Sequence, residues 1–248
     1  MYEHRRRTLS TLSKRGDYLD PKSVELRPAI INNANKNDDI WSMNLQPIST
    51  IPNPNTNIKT AVLFWMIPKS GTTTAKNIYK CMGKTLANRQ GYGHDEDTLK
   101  VITYGQSSYM NVDTTTEDGI LRAKHLALIP SCKADLIFSG SVRFAMEHLY
   151  DPAHKGRIIG LFRNPVERWV SMFYYVQIAT WEKGYNPIWK DKTIIEYAQT
   201  AIQPGNLLIS KITGVRLNNI TDEHLQLAKQ IVKEYFIVGL TNQMEESI

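Results

Sequence analysis

The sequence predicts a three-layer α/β fold, a central parallel sheet flanked by helices. Three observations carry that expectation. Short apolar runs at 61–67 (AVLFWMI), 134–138 (ADLIF), 157–162 (RIIGLF) and 235–240 (YFIVGL) have the continuous hydrophobicity of strands buried on both faces. Helical patterns separate them, and strands alternating with helices give a parallel, doubly wound sheet. The 248 residues, 42% hydrophobic and 22% charged, suit one domain with a sizeable core.

The elements follow in order. Residues 1–57 lack apolar periodicity, carry Arg5-Arg6-Arg7 and Lys14-Arg15, and read as a basic, largely irregular leader. A basic arm of this kind could meet an acidic substrate or be a solvated tail. The domain proper is expected over 58–248. Its first strand, 61–67, runs into the polar turn Pro68-Lys69-Ser70-Gly71-Thr72-Thr73-Thr74. A helix follows, with Ile78, Met82 and Leu86 at i, i+4 and i+8. Residues 88–98 form a polar loop, and 101–104 a short strand. A helix is expected over 117–129, ended by Pro130. The strand 134–138 leaves at Ser139-Gly140-Ser141, and 142–149 is a short helix broken by Asp151-Pro152. After the strand 157–162, Asn164 caps a helix with Pro165 at its first position. Helical trends at 191–201 and 207–212 precede an amphipathic helix capped at Thr221. The strand 235–240 leads into a last helix that breaks off at Ile248, reading as a truncated C-terminus.

Composition narrows the partners. A formal charge of +6 favours anions such as nucleotides, acidic polysaccharide, nucleic acid or a membrane surface, unless the excess serves only solubility. Two cysteines exclude a disulfide framework or a four-cysteine zinc site, and Cys81 is expected as a buried thiol on the apolar side of its helix. The consecutive acidic loop His94-Asp95-Glu96-Asp97 cannot turn all its side chains onto one ion, so no metal is expected. No apolar run approaches the ~18 residues of a membrane span. Asn219-Ile220-Thr221 is a short glycosylation sequon.

The first turn is where chemistry is expected. Strand, glycine-bearing turn and helix bring free backbone N–H groups and the positive end of a helix dipole to one anion, with the Lys69 charge beside them. It is not a Walker A loop, because Lys69 precedes the single Gly71 instead of following a second glycine. The order Pro-Lys-Ser-Gly-Thr-Thr after a strand resembles the 5′-phosphosulfate loop of sulfotransferases that use 3′-phosphoadenosine 5′-phosphosulfate (PAPS). The segment 161–171 (LFRNPVERWVS) resembles that family's 3′-phosphate segment, with Arg163 at a strand end and Ser171 two helical turns on. A guanidinium grips phosphate bidentately and a hydroxyl adds a neutral donor. The plain alternative is that Arg163 pairs with Glu167 and Ser171 is a packing residue. The RNPVER wording and the ending at 236–247 resemble the carbohydrate branch, similar to the glycosaminoglycan 2-O-sulfotransferases.

The resemblance implies a P-loop-like fold and sulfuryl transfer from PAPS to a hydroxyl of a glycan or other acceptor, anionic or neutral, with no nucleic acid involved. It implies that Lys69 neutralises charge on the leaving phosphate oxygen and that Lys69, Ser70, Gly71, Thr72, Thr73 and Thr74 hold the 5′-phosphate. Arg163 and Ser171 would hold the 3′-phosphate. It implies the Golgi lumen, whereas a chain complete as given would read as cytoplasmic. The pattern departs at Ser141, where such enzymes carry a histidine as general base. His148 is the candidate substitute, with Glu147 and His125 behind it, and each could equally be a surface or packing residue. Among the aromatic residues, Trp169, Phe173 and Tyr174 fit the core face of a helix, while Trp181, Tyr185 and Trp189 are candidates for acceptor contact. Two rival readings stay open: a P-loop phosphotransferase, or a nucleotide- or glycan-binding relative without turnover.

Overall fold

The computed structural model describes residues 39–50, 61–182, 185–200 and 206–247. They fall into two compact units: 39–50, 61–168 and 206–247 in the larger, 169–182 and 185–200 in the smaller. The larger unit is organised by strands β1 (Val62–Trp65), β2 (Thr85–Ala87), β3 (Val101–Tyr104), β4 (Ser107–Met110), β5 (Leu136–Ser139), β6 (Arg157–Phe162) and β7 (Phe236–Leu240). They form a seven-stranded sheet of order β3-β4-β2-β5-β1-β6-β7. Each neighbouring pair is parallel except β3 with β4.

The helices are α1 (Asp39–Asn44), α2 (Thr72–Cys81), α3 (Glu117–His125), α4 (Val142–Leu149), α5 (Pro165–Ile178), α6 (Ile194–Thr200), α7 (Leu207–Thr213), α8 (Asp222–Tyr235) and α9 (Met244–Ser247). In β1 the side chains alternate between two cores, as period-two geometry requires. Leu63 and Trp65 join Trp41, Ile120, Met146, Ile212 and Ile231 beneath α1, α3, α4, α7 and α8. Phe64 joins Ala75, Leu86, Tyr109, Leu136, Phe138 and Leu161 beneath α2. The chain therefore makes the predicted three layers: a mostly parallel sheet with helices on both faces. β1 is central, pairing over its whole length with β5 and β6. That is why its sequence is apolar without alternation.

Several expectations need correction. The helix after the first turn ends at Cys81, and Leu86 lies in β2 with no exposed surface. Gly83, at φ 69°, takes the left-handed conformation that stops a helix. The apparent i+8 repeat therefore crosses a chain reversal, and β4, which then lies beside β2, was likewise not foreseen. Cys81 is exposed, not a buried thiol. The expected helix over 117–129 stops at His125, and Ala127 turns left-handed at φ 54°.

The leader is not irregular throughout. Within it α1 buries Trp41 and, just beyond, Leu45. The Asn44 amide donates to the Met146 carbonyl at 2.8 Å, and Leu45 bridges Gly156. Positions 1–38 and 51–57 of the leader lie outside the described residues. Expectations met closely include β3, β6, α4 and the Asn164 cap, whose Oδ1 accepts from the Val166 amide at 2.9 Å. Among the described residues no helix is long and apolar enough to cross a membrane.

Candidate functional site

The turn between β1 and α2 lies at the C-terminal edge of the sheet, where parallel α/β folds place their ligand sites. Beyond β1 the Met66 amide still donates to the Ser139 carbonyl at 2.8 Å, and the Ser70 amide closes a turn onto the Ile67 carbonyl at 3.3 Å. Lys69 and Gly71 both adopt left-handed backbone, at φ 62° and 83°. For Lys69 this is the kind of local strain that a surrounding scaffold must impose. At Gly71 a Cβ would also approach Met244 Cε to 2.8 Å and Leu161 Cδ2 to 3.1 Å.

Gly71 caps α2, and its carbonyl takes the first helical bond from the Ala75 amide at 3.0 Å. The amides of Gly71, Thr72, Thr73 and Thr74 have no backbone acceptor among the described residues, and no side chain caps them. These are the orphan donors of a helix start, at the positive end of its dipole. The Ser70 side chain is buried, 1% exposed, and its hydroxyl has no hydrogen-bond partner among the described residues. The Thr72 hydroxyl leans back to the Ile67 carbonyl at 3.4 Å.

Arg163 reaches this turn from the end of β6. Its Nη1 donates to the Lys69 carbonyl at 3.3 Å, while Nε donates to Glu167 Oε2 at 3.3 Å. The pairing with Glu167 anticipated from i, i+4 spacing is therefore present, together with a contact that spacing could not show. Thr241, just past β7, donates to the Phe162 carbonyl at 2.9 Å and ties the third strand end in place. Ser171 lies on α5 in the stretch that belongs to the smaller unit, half-buried.

The structure does not bring His148 to the turn. It sits in the last turn of α4, which starts where β5 ends and runs back to the opposite edge of the sheet. Its ring stacks on Phe144 with centroids 4.0 Å apart, and Nδ1 lies 2.9 Å from the Phe144 carbonyl. Two residues on, the Tyr150 hydroxyl donates to the Ala61 carbonyl at the N-terminal end of β1. Glu147 is paired with Arg143 at 2.8 Å, and His125 is an exposed residue of the last turn of α3. Ser141 stands at the N-terminus of α4, its amide donating to the Ser139 hydroxyl at 3.2 Å.

A second set of polar groups at the same sheet edge was not foreseen. Lys76, on α2, places Nζ 5.2 Å from the centroid of the Phe138 ring at the end of β5. Its pKa is pushed down to about 8, chiefly by burial, with the charges of Arg89 and Lys80 adding and Asp113 opposing. Asn88, just after β2, is fully buried; its Oδ1 accepts from the Gln90 amide and its Nδ2 has no partner among the described residues. The buried Thr114 hydroxyl lies 2.8 Å from the Ala87 carbonyl and 3.0 Å from the Phe138 carbonyl. The sequence signal for Lys76 is weak, since a lysine in a Lys-Asn-Ile-Tyr-Lys helix reads as a solvated face.

In the smaller unit Tyr197 of α6 gathers Trp169, Phe173 and Trp189, with centroids 5.5, 5.3 and 4.9 Å away. Trp189 is therefore part of this aromatic cluster as well as a candidate contact. Trp181 is 71% exposed. Comparison with protein-family models, curated proteins and solved structures found no match.

Proposed function

We propose that the chain is a PAPS-dependent sulfotransferase on a P-loop-like fold, moving a sulfuryl group to a hydroxyl of a glycan acceptor. The observation that carries this reading is the meeting of two strand ends. Arg163, from β6, stands 3.3 Å from the backbone of the turn that also presents Lys69 and the orphan amides of α2. A ligand with phosphates at both ends of a ribose needs such a pair of anion contacts, one built on backbone donors and one on a guanidinium.

The buried Ser70 hydroxyl, without a partner among the described residues, fits a donor awaiting a phosphate oxygen, because buried polar groups ordinarily find partners. Arg163 is freed at little cost, since its partner Glu167 is 57% exposed and exposed ion pairs contribute little. PAPS would supply an activated sulfuryl group. Lys69 would stabilise the charge left on the phosphate oxygen, and the amides of 71–74 would orient the 5′-phosphate. Ser171 enters the reading on sequence spacing alone. Binding without turnover is the second reading, favoured by the position of His148 at the far sheet edge.

Titration calorimetry with adenosine 3′,5′-diphosphate against ATP, joined to turnover of labelled PAPS on a glycan panel, tests the proposal. Arg163→Ala should weaken nucleotide binding about 10- to 100-fold, the worth of a charged hydrogen-bond pair. Lys69→Ala should cut transfer about 100-fold and binding much less. A preference for ATP sinks the reading, as do negligible effects of both substitutions.

A further inference from the structure

The sheet edge beside the phosphate turn holds an ionisable group suited to taking a proton, Lys76. On α2, Lys76 follows Thr72 and Thr73 by four and three residues, so all three share a face. Helical side chains lean toward their own N-terminus, which here is the phosphate turn. The amine stands 5.2 Å from the Phe138 ring centroid. Phe138 is paired in register with Phe64 of β1 and lies three residues before Ser141, where the family pattern expects an imidazole. Lys76 thus reaches the strand end that lacks one.

We propose that Lys76 is the general base of the reaction, its neutral amine accepting the proton of the acceptor hydroxyl. The role rests on the sulfuryl-transfer reading above. The acceptor oxygen forms the new bond to sulfur, and the bond from sulfur to the phosphate oxygen of PAPS breaks. The electron pair of that bond stays on the phosphate, the charge assigned to Lys69, while Lys76 becomes an ammonium and later returns the proton to water.

The surroundings of the amine suit the task. From β5 it meets the face of the Phe138 ring, and the charged groups acting on it are Arg89 after β2, Lys80 along α2 and Asp113 after β4. Burial and the two cations favour the neutral form, and Asp113 opposes them. With a pKa of about 8, about a quarter of the molecules carry the free amine at pH 7.5, whereas an ordinary lysine carries almost none. The ring face stabilises the ammonium formed in the step. Lysines lowered by burial are known to serve as bases.

The test compares Lys76→Ala, Lys76→Arg and Lys76→His with the full chain. Transfer by the alanine and arginine variants should fall about 100-fold or more, the usual worth of a general base. Affinity for adenosine 3′,5′-diphosphate should stay within about threefold. The wild-type rate should rise with pH through a limb near 8, and the histidine variant should recover part of the rate with the limb moved to about 6.5. A readout free of turnover is NMR of the ¹³C-lysine-labelled protein, in which Lys76 should titrate near 8 and disappear from the arginine variant's spectrum. Transfer within threefold of wild type in the alanine variant, with nucleotide binding intact, overturns the role alone. So does titration of Lys76 near 10. A wild-type chain that binds no adenosine 3′,5′-diphosphate overturns the parent reading and this role together.

Discussion

A lysine amine held over a phenyl ring and partly shielded from water is a liability to the fold, whatever it does for chemistry. Lys76 titrates near 8 in the folded chain against an ordinary 10.5, because burial penalises its charged form. Below pH 8 both the folded and unfolded chains hold the proton, and the folded chain bears the whole penalty. Between 8 and 10.5 the unfolded chain still binds the proton that the folded chain has shed, so stability rises with pH across that window. The full rise is about 3 kcal/mol at most, from 1.36 kcal/mol per unit. Lys76→Met, similar in length and without charge, should therefore stabilise the chain by about 1–3 kcal/mol at pH 7. Urea denaturation should show that gain shrinking toward zero by pH 10. An equal gain at both pH values would mean that packing, not charge, separates the variants. A site paying for function in stability is the expected trade.

At the scale of elements, the C-terminal ends of β2 and β5 are held together by a side chain from the loop after β4. The Thr114 hydroxyl sits between the Ala87 and Phe138 carbonyls in a place with no exposed surface. Thr114→Val keeps the shape and removes the donor, leaving buried oxygens short of a partner. It should cost about 1–3 kcal/mol. Because Phe138 carries the ring beneath Lys76, the same variant should also raise the NMR-measured pKa of Lys76 by loosening its burial. An unchanged denaturation midpoint would show that water replaces the hydroxyl.

What was legible in the sequence follows from the same geometry. β1 and β6 could be read because central parallel strands are apolar on both faces, and α4 and the start of α5 because caps and helix breakers bound them. β2 could not, since its three residues lie next to a helix whose apolar spacing Leu86 continues. Arg163 and the turn carry local motifs, so each could be singled out, whereas the contact between them lies across 94 positions and could not. Lys76 was missed because the ring beneath it belongs to β5, and two of the charges acting on it, Arg89 and Asp113, follow β2 and β4, all remote in sequence.

At the scale of the whole molecule, a ligand at this edge would couple several elements of the larger unit. The turn after β1 starts α2, Arg163 ends β6, and Thr241 joins the end of β7 to that of β6. A ligand held by the first two binds only when β1 and β6 are paired, so it binds the folded chain and not the unfolded one. At 100 times its dissociation constant such a ligand adds about 2.7 kcal/mol to stability. For a chain of this size each kcal/mol moves Tm by roughly 2–4 °C, so adenosine 3′,5′-diphosphate should raise Tm by about 5–10 °C. The rise should shrink in Arg163→Ala, which removes a ligand contact while leaving the exposed Glu167 solvated. It should be nearly kept in Lys76→Ala, whose amine is assigned to the acceptor and not to the nucleotide. Added salt should reduce the rise by screening the phosphate contacts. A Tm that does not move, or that moves only with ATP and Mg²⁺, would mean that the two strand ends hold a different anion.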